Sequence, residues 1–210
     1  MITIPTGDLK PALAGLAKVV STKAALECLR CVRVDSSPGQ VRITGTDLDM
    51  FASVALPAGM GGSTESFLLP FDRLQSAARR LPANGLLHLE PGKITCDMGG
   101  SPVTENIAAP DAKEFPKEPA FENEPVPLPP TFAQRFAEAL ACSSTDDSRY
   151  ILNGVALDVS DRSGHYLVAT DGRHLFSANS FELPVPESVT ISKHRLLAWK
   201  GLIELPWALA

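Results

Sequence analysis

Val41-Arg42-Ile43-Thr44-Gly45-Thr46-Asp47-Leu48-Asp49-Met50-Phe51 returns, altered, as Tyr166-Leu167-Val168-Ala169-Thr170-Asp171-Gly172-Arg173-His174-Leu175-Phe176. Outward from these two stretches the register holds. Thr22 matches Thr145 at 123 positions, Asp35 matches Asp158 at 123, Asp47 matches Asp171 at 124, and Arg73 matches Arg195 at 122. Unlike motifs at a nearly constant offset indicate a duplicated structural unit. The offset is that of an ordinary domain. The first copy runs 41 residues past Leu74, to Phe115, whereas 14 residues follow Leu196, the match of Leu74. The expectation is one whole module and a second that is incomplete at its C-terminal end.

The 210 residues are 44% apolar, 20% charged and 6% aromatic, which is ordinary globular composition. A net charge of -5 argues against a generally basic nucleic-acid coat but leaves room for a local basic face. No apolar run reaches the roughly 18 residues that a membrane helix needs. No basic stretch followed by an apolar run marks a signal peptide, so a cytoplasmic protein without a membrane partner is expected. Cys28, Cys31, Cys96 and Cys142 are scattered, unlike a secreted disulfide framework.

Leu9, Leu13, Leu16 and Val20 recur at helical spacing and predict a helix over 8–20, with Asp8 as its N-cap and Lys10 and Lys18 on the polar side. Strands are predicted over 26–34, 41–56 and 66–70, with turn chemistry at Ser36-Ser37-Pro38-Gly39. A helix follows over 71–81, with Phe71, Leu74, Ala78 and Leu81 inward and Arg73, Arg79 and Arg80 outward; Pro82 and Gly85 stop it. Residues 86–109 read as short strands broken at Pro91-Gly92 and Gly99-Gly100.

Seven prolines between 110 and 130 predict an extended connector, with its core at 119–130 separating a module at 1–118 from one at 131–210. The second module opens with a helix at 131–142 carrying Phe132, Phe136 and Leu140 inward. Strands follow at 151–159, 165–170, 174–181 and 188–192, then a helix from Lys193 to about Lys200. Runs of strands interrupted by single helices predict an α+β fold: repeated modules of antiparallel sheet with two helices on one face.

The run Asp147-Ser148-Arg149-Tyr150-Ile151-Leu152-Asn153-Gly154-Val155, followed by Leu167-Val168-Ala169-Thr170-Asp171-Gly172-Arg173-His174-Leu175, resembles the second domain of the bacterial DNA polymerase III β subunit, the sliding clamp. Thr44-Gly45-Thr46-Asp47-Leu48-Asp49 and Asp111-Ala112-Lys113-Glu114-Phe115-Pro116 resemble the first domain of that family. The resemblance covers nearly the whole chain in the same order. It implies the DNA-clamp fold and a ring with helices lining a hole for duplex DNA. It also implies a non-catalytic processivity factor with no cofactor, which tethers polymerase and clamp-loader peptides.

Each predicted helix offers cations on its polar side: Lys10 and Lys18; Arg73, Arg79 and Arg80; Arg135; and Lys193, Arg195 and Lys200. Cations without an interleaved aromatic platform suit sequence-independent tracking of duplex phosphates rather than single-strand binding. The resemblance adds Lys23 and Tyr150 as DNA-contacting positions. It also implies that part of a peptide pocket lies at Leu152, Thr170, Gly172, Arg173, His174 and Leu175. In the family a basic pair precedes the Leu, and here the second of the pair is His174. The family builds the rest of the pocket from later segments, so a partial pocket is expected.

Asp47 and Asp49 sit two apart, as a metal pair on one strand face would. No third ligand is near in sequence, and a turn role accepting backbone donors is the expectation for Asp47 and Asp171. Cys28-Leu29-Arg30-Cys31 has no second CxxC to complete a zinc site and falls in a predicted strand, so free thiols are expected. His88, His165, His174 and His194 lie in no ligand spacing, and neither a phosphate-cradling loop nor a nucleophile elbow occurs. Two function classes remain besides a metal-dependent enzyme. One is a clamp that encircles duplex DNA. The other is a shortened clamp homologue acting as a protein-interaction module, with self-association or a partner chain covering its unpaired sheet edge.

Overall fold

A computed structural model describes residues 1–58, 64–97, 101–121, 123–161 and 164–210. The chain divides into two compact units, Met1–Glu118 and Pro119–Ala210, which are described separately.

In the first unit β1 (Ile2–Pro5) runs directly into α1 (Thr6–Leu16). Asp8 is not the N-cap. It lies in the first turn, and Pro5 occupies the cap without a side-chain bond. Thr6 explains the earlier start, because its N–H and its Oγ1 both donate to the Gly85 carbonyl, at 2.9 and 2.7 Å. A neighbouring loop thus takes donors that a cap would otherwise satisfy. The helix ends four residues before the predicted Val20, and turns carry the chain through Val19 and Val20, both buried.

The segment expected as a strand over 26–34 begins instead with a 3₁₀ turn at Glu27–Arg30. Then come β2 (Cys31–Ser37), β3 (Gln40–Thr46), β4 (Phe51–Pro57) and β5 (Ser66–Pro70), paired antiparallel in the order β4-β3-β2-β5. The stretch expected as one strand over 41–56 is therefore a hairpin, folded at 47–50. Helix α2 (Phe71–Arg80) follows, then β6 (Leu86–Glu90), β7 (Lys93–Asp97) and β8 (Val103–Asn106). These three form the second sheet with β1, in the order β1-β6-β7-β8. The Pro91-Gly92 break lies between β6 and β7 as expected; the Gly99-Gly100 break lies outside the described residues.

One core joins these elements. Leu9, Leu13 and Leu16 of α1 and Phe71, Leu74, Ala77 and Ala78 of α2 share it with Val32, Val34, Ile43 and Leu69 of one sheet and Leu87, Leu89 and Ile94 of the other. Each large aliphatic side chain fully buried there contributes about 1.5–3 kcal/mol. A smaller cluster forms where Phe115 packs with Cys28, Leu29, Cys31 and Leu68. The Arg33 guanidinium lies 5.3 Å from the Phe115 ring centroid and pairs with Asp35 at 2.8 Å and Glu118 at 3.1 Å.

The second unit repeats the first sheet. It contains β9 (Val126–Pro127), α3 (Phe132–Cys142), a kinked 3₁₀ segment at Asp147–Leu152, and β10 (Gly154–Asp158). Next are β11 (His165–Thr170), β12 (Leu175–Phe181) and β13 (Val189–Ser192), giving the order β12-β11-β10-β13. Register is copied as well as order. Val34 faces Ile43 as Leu157 faces Leu167, and Val32 faces Leu69 as Val155 faces Ile191. Last come α4 (Lys200–Ile203) and β14 (Ala208–Leu209). Pairing of β14 with β9 places Ala208 opposite Pro127, as Leu86 stands opposite Pro5. The core of this unit holds Phe132, Phe136, Leu157, Leu167 and Phe181, with Trp207 against both helix phenylalanines at 6.0 and 5.3 Å between ring centroids.

The helix predicted from Lys193 to Lys200 is absent. Residues 195–198 form turns, and only Lys200–Ile203 is helical. The comparison with α2 gives the reason. The inward positions Phe71, Leu74, Ala77, Ala78 and Leu81 become Lys193, Leu196, Trp199, Lys200 and Ile203. Two lysines break the apolar stripe, and a large indole replaces an alanine that lets α2 sit close to its sheet. The first-turn Asp72 becomes His194, which removes an acid that complements the helix dipole. A short helix with neither a packed face nor favourable end charges is marginal.

Candidate nucleic-acid and peptide interfaces

The structure places the sequence-selected cations in quite different settings. Lys10, on α1, is half-buried, and its ammonium donates to the Leu81 carbonyl at 2.7 Å, so it ties α1 to the end of α2. Lys18 is half-buried in the turn after α1, and Lys23 is exposed a few residues further on. On α2 the outward Arg73 and Arg80 are two helical turns apart and converge on one carboxylate: Arg73 reaches Glu105 at 3.2 Å and Arg80 reaches it at 3.7 Å. Arg79 points away from the core and makes no ion pair among the described residues. Arg30, which the sequence did not single out, shares with Arg73 a polar cavity of about 490 Å³ that also meets Glu27, Asp72 and Glu105. With two guanidiniums and three carboxylates, that cavity has no net preference for anions.

In the second unit Arg135, exposed on α3, pairs with Glu138 at 2.7 Å. That hydrogen bond holds the Glu138 carboxyl below its ordinary pKa. Lys193 and Arg195 are exposed but not helical; the Lys193 ammonium donates to the Ser143 carbonyl at 3.5 Å. Lys200, on α4, reaches Glu204 at 3.6 Å. Tyr150 projects from the 3₁₀ segment and is 78% exposed.

The hairpin tips carry the expected turn chemistry. Asp47 Oδ1 accepts the Met50 N–H at 2.9 Å, and Asp171 Oδ1 accepts the His174 N–H at 2.7 Å and the Arg173 N–H at 2.8 Å. Bonds from the His174 backbone, the His174 ring and the Arg173 backbone hold the Asp171 carboxyl well below the usual range. Five of the six residues suggested for a peptide site lie together here. Thr170 ends β11, Gly172, Arg173 and His174 form the exposed tip, and Leu175 opens β12 at 71% exposure. Leu152, half-buried, closes the 3₁₀ segment, whose backbone carbonyl accepts the Ser144 N–H at 2.9 Å. The residue that sequence reasoning missed is Arg149. Its Nη1 would stand 3.3 Å from a Cβ added at Gly172, so this guanidinium lies against the tip. Its only sequence signal is its place in the Asp147–Val155 run.

Cys28 and Cys31 are both buried free thiols, as expected, although Cys28 lies in the 3₁₀ turn and only Cys31, the first residue of β2, is in a strand. Burial, with the nearby Glu27 and Cys28, pushes the Cys31 thiol up to about 11. The shift disfavours thiolate chemistry there.

These features can be set against known proteins. Residues 1–91 match the family described as DNA polymerase III beta subunit, N-terminal domain. The beta sliding clamp of Haemophilus influenzae is 28% identical over 173 residues, covering 80% of this chain and 46% of that protein. Among solved structures, the DNA polymerase III subunit beta of Pseudomonas aeruginosa superposes with a TM-score of 0.75 at 24% identity, over 94% of this chain and 56% of that one. The Bacillus subtilis sliding clamp gives 0.76 at 22% identity, over 96% and 56%. A Bartonella birtlesii clamp bound to griselimycin gives 0.78 at 19%, over 99% and 58%. The chain thus spans about half the length of the relatives it matches. Residues 1–91 are thus similar to the N-terminal domain of the DNA polymerase III beta subunit family, and the chain as a whole has the α+β fold of the sliding-clamp structures.

Proposed function

We propose that this chain serves as a non-catalytic clamp component that holds replication proteins on duplex DNA. The observation that carries the reading is the duplicated module. Two units that share a four-stranded sheet of the same order and register are what a ring of repeated domains is built from, and clamp structures match them over nearly the whole chain. In the first unit exposed Lys23, Arg73, Arg79 and Arg80, and in the second Arg135, Lys193, Arg195, Lys200 and Tyr150, are available for backbone-directed contacts; Lys10 and Lys18 lend positive charge to the first unit from half-buried positions. Phosphate contacts of this kind carry no sequence information and leave the protein free to slide. Duplex DNA is thus the proposed partner, with polymerase and clamp-loader peptides at the Leu152 and Thr170–Leu175 site and further clamp subunits completing the ring. The test is retention on nicked circular duplex, loaded with a clamp loader, before and after linearisation. Loss on linearisation supports encirclement; equal retention on both forms, or none on either, overturns it.

A second reading has its own support. Tyr150, Ile151 and Leu175 are 78%, 71% and 71% exposed near the Asp171 turn, and large exposed apolar side chains suit a protein partner. In this reading the chain is an interaction module that binds clamp-directed peptides without encircling DNA. Peptide binding that survives while circular DNA is never retained would favour it.

A further inference from the structure

We propose that Glu105 is an attenuator of DNA affinity, a residue that sets how tightly α2 grips the phosphate backbone. The inference rests on the clamp reading. Arg73 and Arg80 lie on the flank of α2, and both reach across to the edge strand β8, where Glu105 presents one oxygen to each: Oε1 to Arg73 at 3.2 Å and Oε2 to Arg80 at 3.7 Å. Arg73 has a second, longer approach to Asp72 at 3.9 Å. All three of these side chains remain partly open to solvent, at 57% for Arg73, 54% for Arg80 and 31% for Glu105. Arg79, one position before Arg80 and so about 100° round the helix from it, is exposed and has no such partner among the described residues.

Solvent-exposed ion pairs are weak, so a phosphate can take either guanidinium from Glu105. When it does, the freed carboxylate stays within a few ångströms of the incoming phosphate and repels it. Each contact made by Arg73 or Arg80 therefore replaces an internal pair rather than releasing a full counterion, and the salt dependence of binding is shallower than three arginines would give. A sliding contact benefits from this arrangement, because it must be attractive yet weak at every step.

The experiment measures binding of the full chain to a fluorescent linear 20-base-pair duplex across a salt series. It compares wild type with Glu105→Gln, Arg79→Ala, the combined Arg73→Ala/Arg80→Ala/Glu105→Gln, and Glu187→Gln, which removes one exposed charge in the other unit. Glu105→Gln keeps the side-chain shape. It is expected to tighten binding about 3- to 10-fold at low salt and to steepen the log–log salt slope by roughly one. The triple variant should lose that gain, and Glu187→Gln should lie close to wild type. If Glu105→Gln matches wild type while Arg79→Ala still weakens binding, the attenuator is refuted and the DNA reading stands. If Glu187→Gln matches Glu105→Gln, the effect is net charge alone, and the attenuator is again refuted. If no variant changes a negligible, salt-independent signal, the attenuator is refuted, while encirclement is decided separately by retention on circular against linearised duplex.

Discussion

Leu48 and Gly172 occupy one position in two copies of the same hairpin turn, with φ of +81° and +88°. The bonds around them correspond one for one. Thr46 Oγ1 donates to the Met50 carbonyl at 2.8 Å, and Thr170 Oγ1 donates to the His174 carbonyl at 2.6 Å. Each threonine oxygen also accepts, at 3.0 Å, the N–H of the positive-φ residue, and each aspartate takes the N–H three residues on. The turn is dictated by Thr and Asp, which both copies retain, rather than by the residue at its most constrained point.

That arrangement leaves Leu48 strained. A residue with a Cβ pays about 1–2 kcal/mol in the left-handed region. At 56% exposure the Leu48 side chain recovers little of this by burial. Leu48→Gly should stabilise the first unit by about 0.5–1 kcal/mol, after the added backbone entropy of glycine is subtracted. Gly172→Leu should destabilise the second unit by at least the strain, because its Cβ would also crowd Arg149 at 3.3 Å. Both tryptophans and both tyrosines lie in the second unit, so intrinsic fluorescence follows Gly172→Leu, and amide exchange in β3 and β4 follows Leu48→Gly.

The same turn predicts a local acid transition. The folded-state pKa of Asp171 is depressed, so the stability its bonds contribute is fully present above the unfolded carboxylate value of about 3.9, declines below it, and is lost only as pH falls through the much lower folded value. The His174 and Arg173 amides should therefore lose protection on acidification while the β10–β11 ladder stays closed. Asp171→Asn should remove that pH dependence and fray the tip at neutral pH. Amide exchange from pH 6 down to the lowest pH at which the second unit stays folded reads both effects; a tip that already loses protection between pH 4 and 5, where the folded carboxyl is still ionised, would contradict this reading.

Much of the fold can be read from the residues because local pattern and tertiary packing agree. The strand at 66–70 and the helix after it come out within a residue, since Phe71, Leu74, Ala78 and Leu81 form one stripe and face one core. The prediction fails where long-range packing decides. The run from Lys193 to Lys200 inherits its helical expectation from α2, but Lys193, Trp199 and Lys200 replace the residues that held α2 to its sheet. The CxxC falls in a strand by composition, yet Phe115, more than 80 residues away, packs on the 3₁₀ turn that holds the first cysteine. The candidate site divides the same way. Arg73, Arg79 and Arg80 can be placed outward from periodicity, whereas Glu105, which binds two of them, arrives from a strand of the second sheet and leaves no mark in the local pattern.

Cys31 makes a prediction of opposite sign to Asp171. Its folded pKa is raised to about 11 from an ordinary 9.0, chiefly by burial. The neutral thiol is the form compatible with the fold. Its contribution is fully present below pH 9 and is lost as pH rises toward 11. Iodoacetamide at pH 8 should label half-exposed Cys142 well before buried Cys31, and denaturant should equalise the two. Cys31→Ala should flatten the alkaline loss of stability in the first unit. Mass spectrometry of tryptic peptides gives the labelling order, and rapid native labelling of Cys31 would refute the reading.

Gly45 shows what duplication has left to vary in the core. It lies on β3 under the end of α1, and a Cβ built there would come within 2.3 Å of Val20 Cγ2 and 3.5 Å of Leu16 Cδ2. Its counterpart on β11 is Ala169, which is buried and fits beneath α3. The first unit therefore draws its helix-end segment closer to the sheet by the thickness of a methyl group. Gly45→Ala should cost about 1–3 kcal/mol through overpacking, because Val20 is buried and its β-branched side chain cannot rotate clear. Val20→Ala should cost about 1–3 kcal/mol alone by opening a cavity. The double variant places a methyl group where one was removed, so its loss should be smaller than the sum of the two by about 1 kcal/mol or more. Circular dichroism melts of the four proteins close the cycle. Strict additivity would show that the close approach at Gly45 does not govern packing of α1 on the sheet.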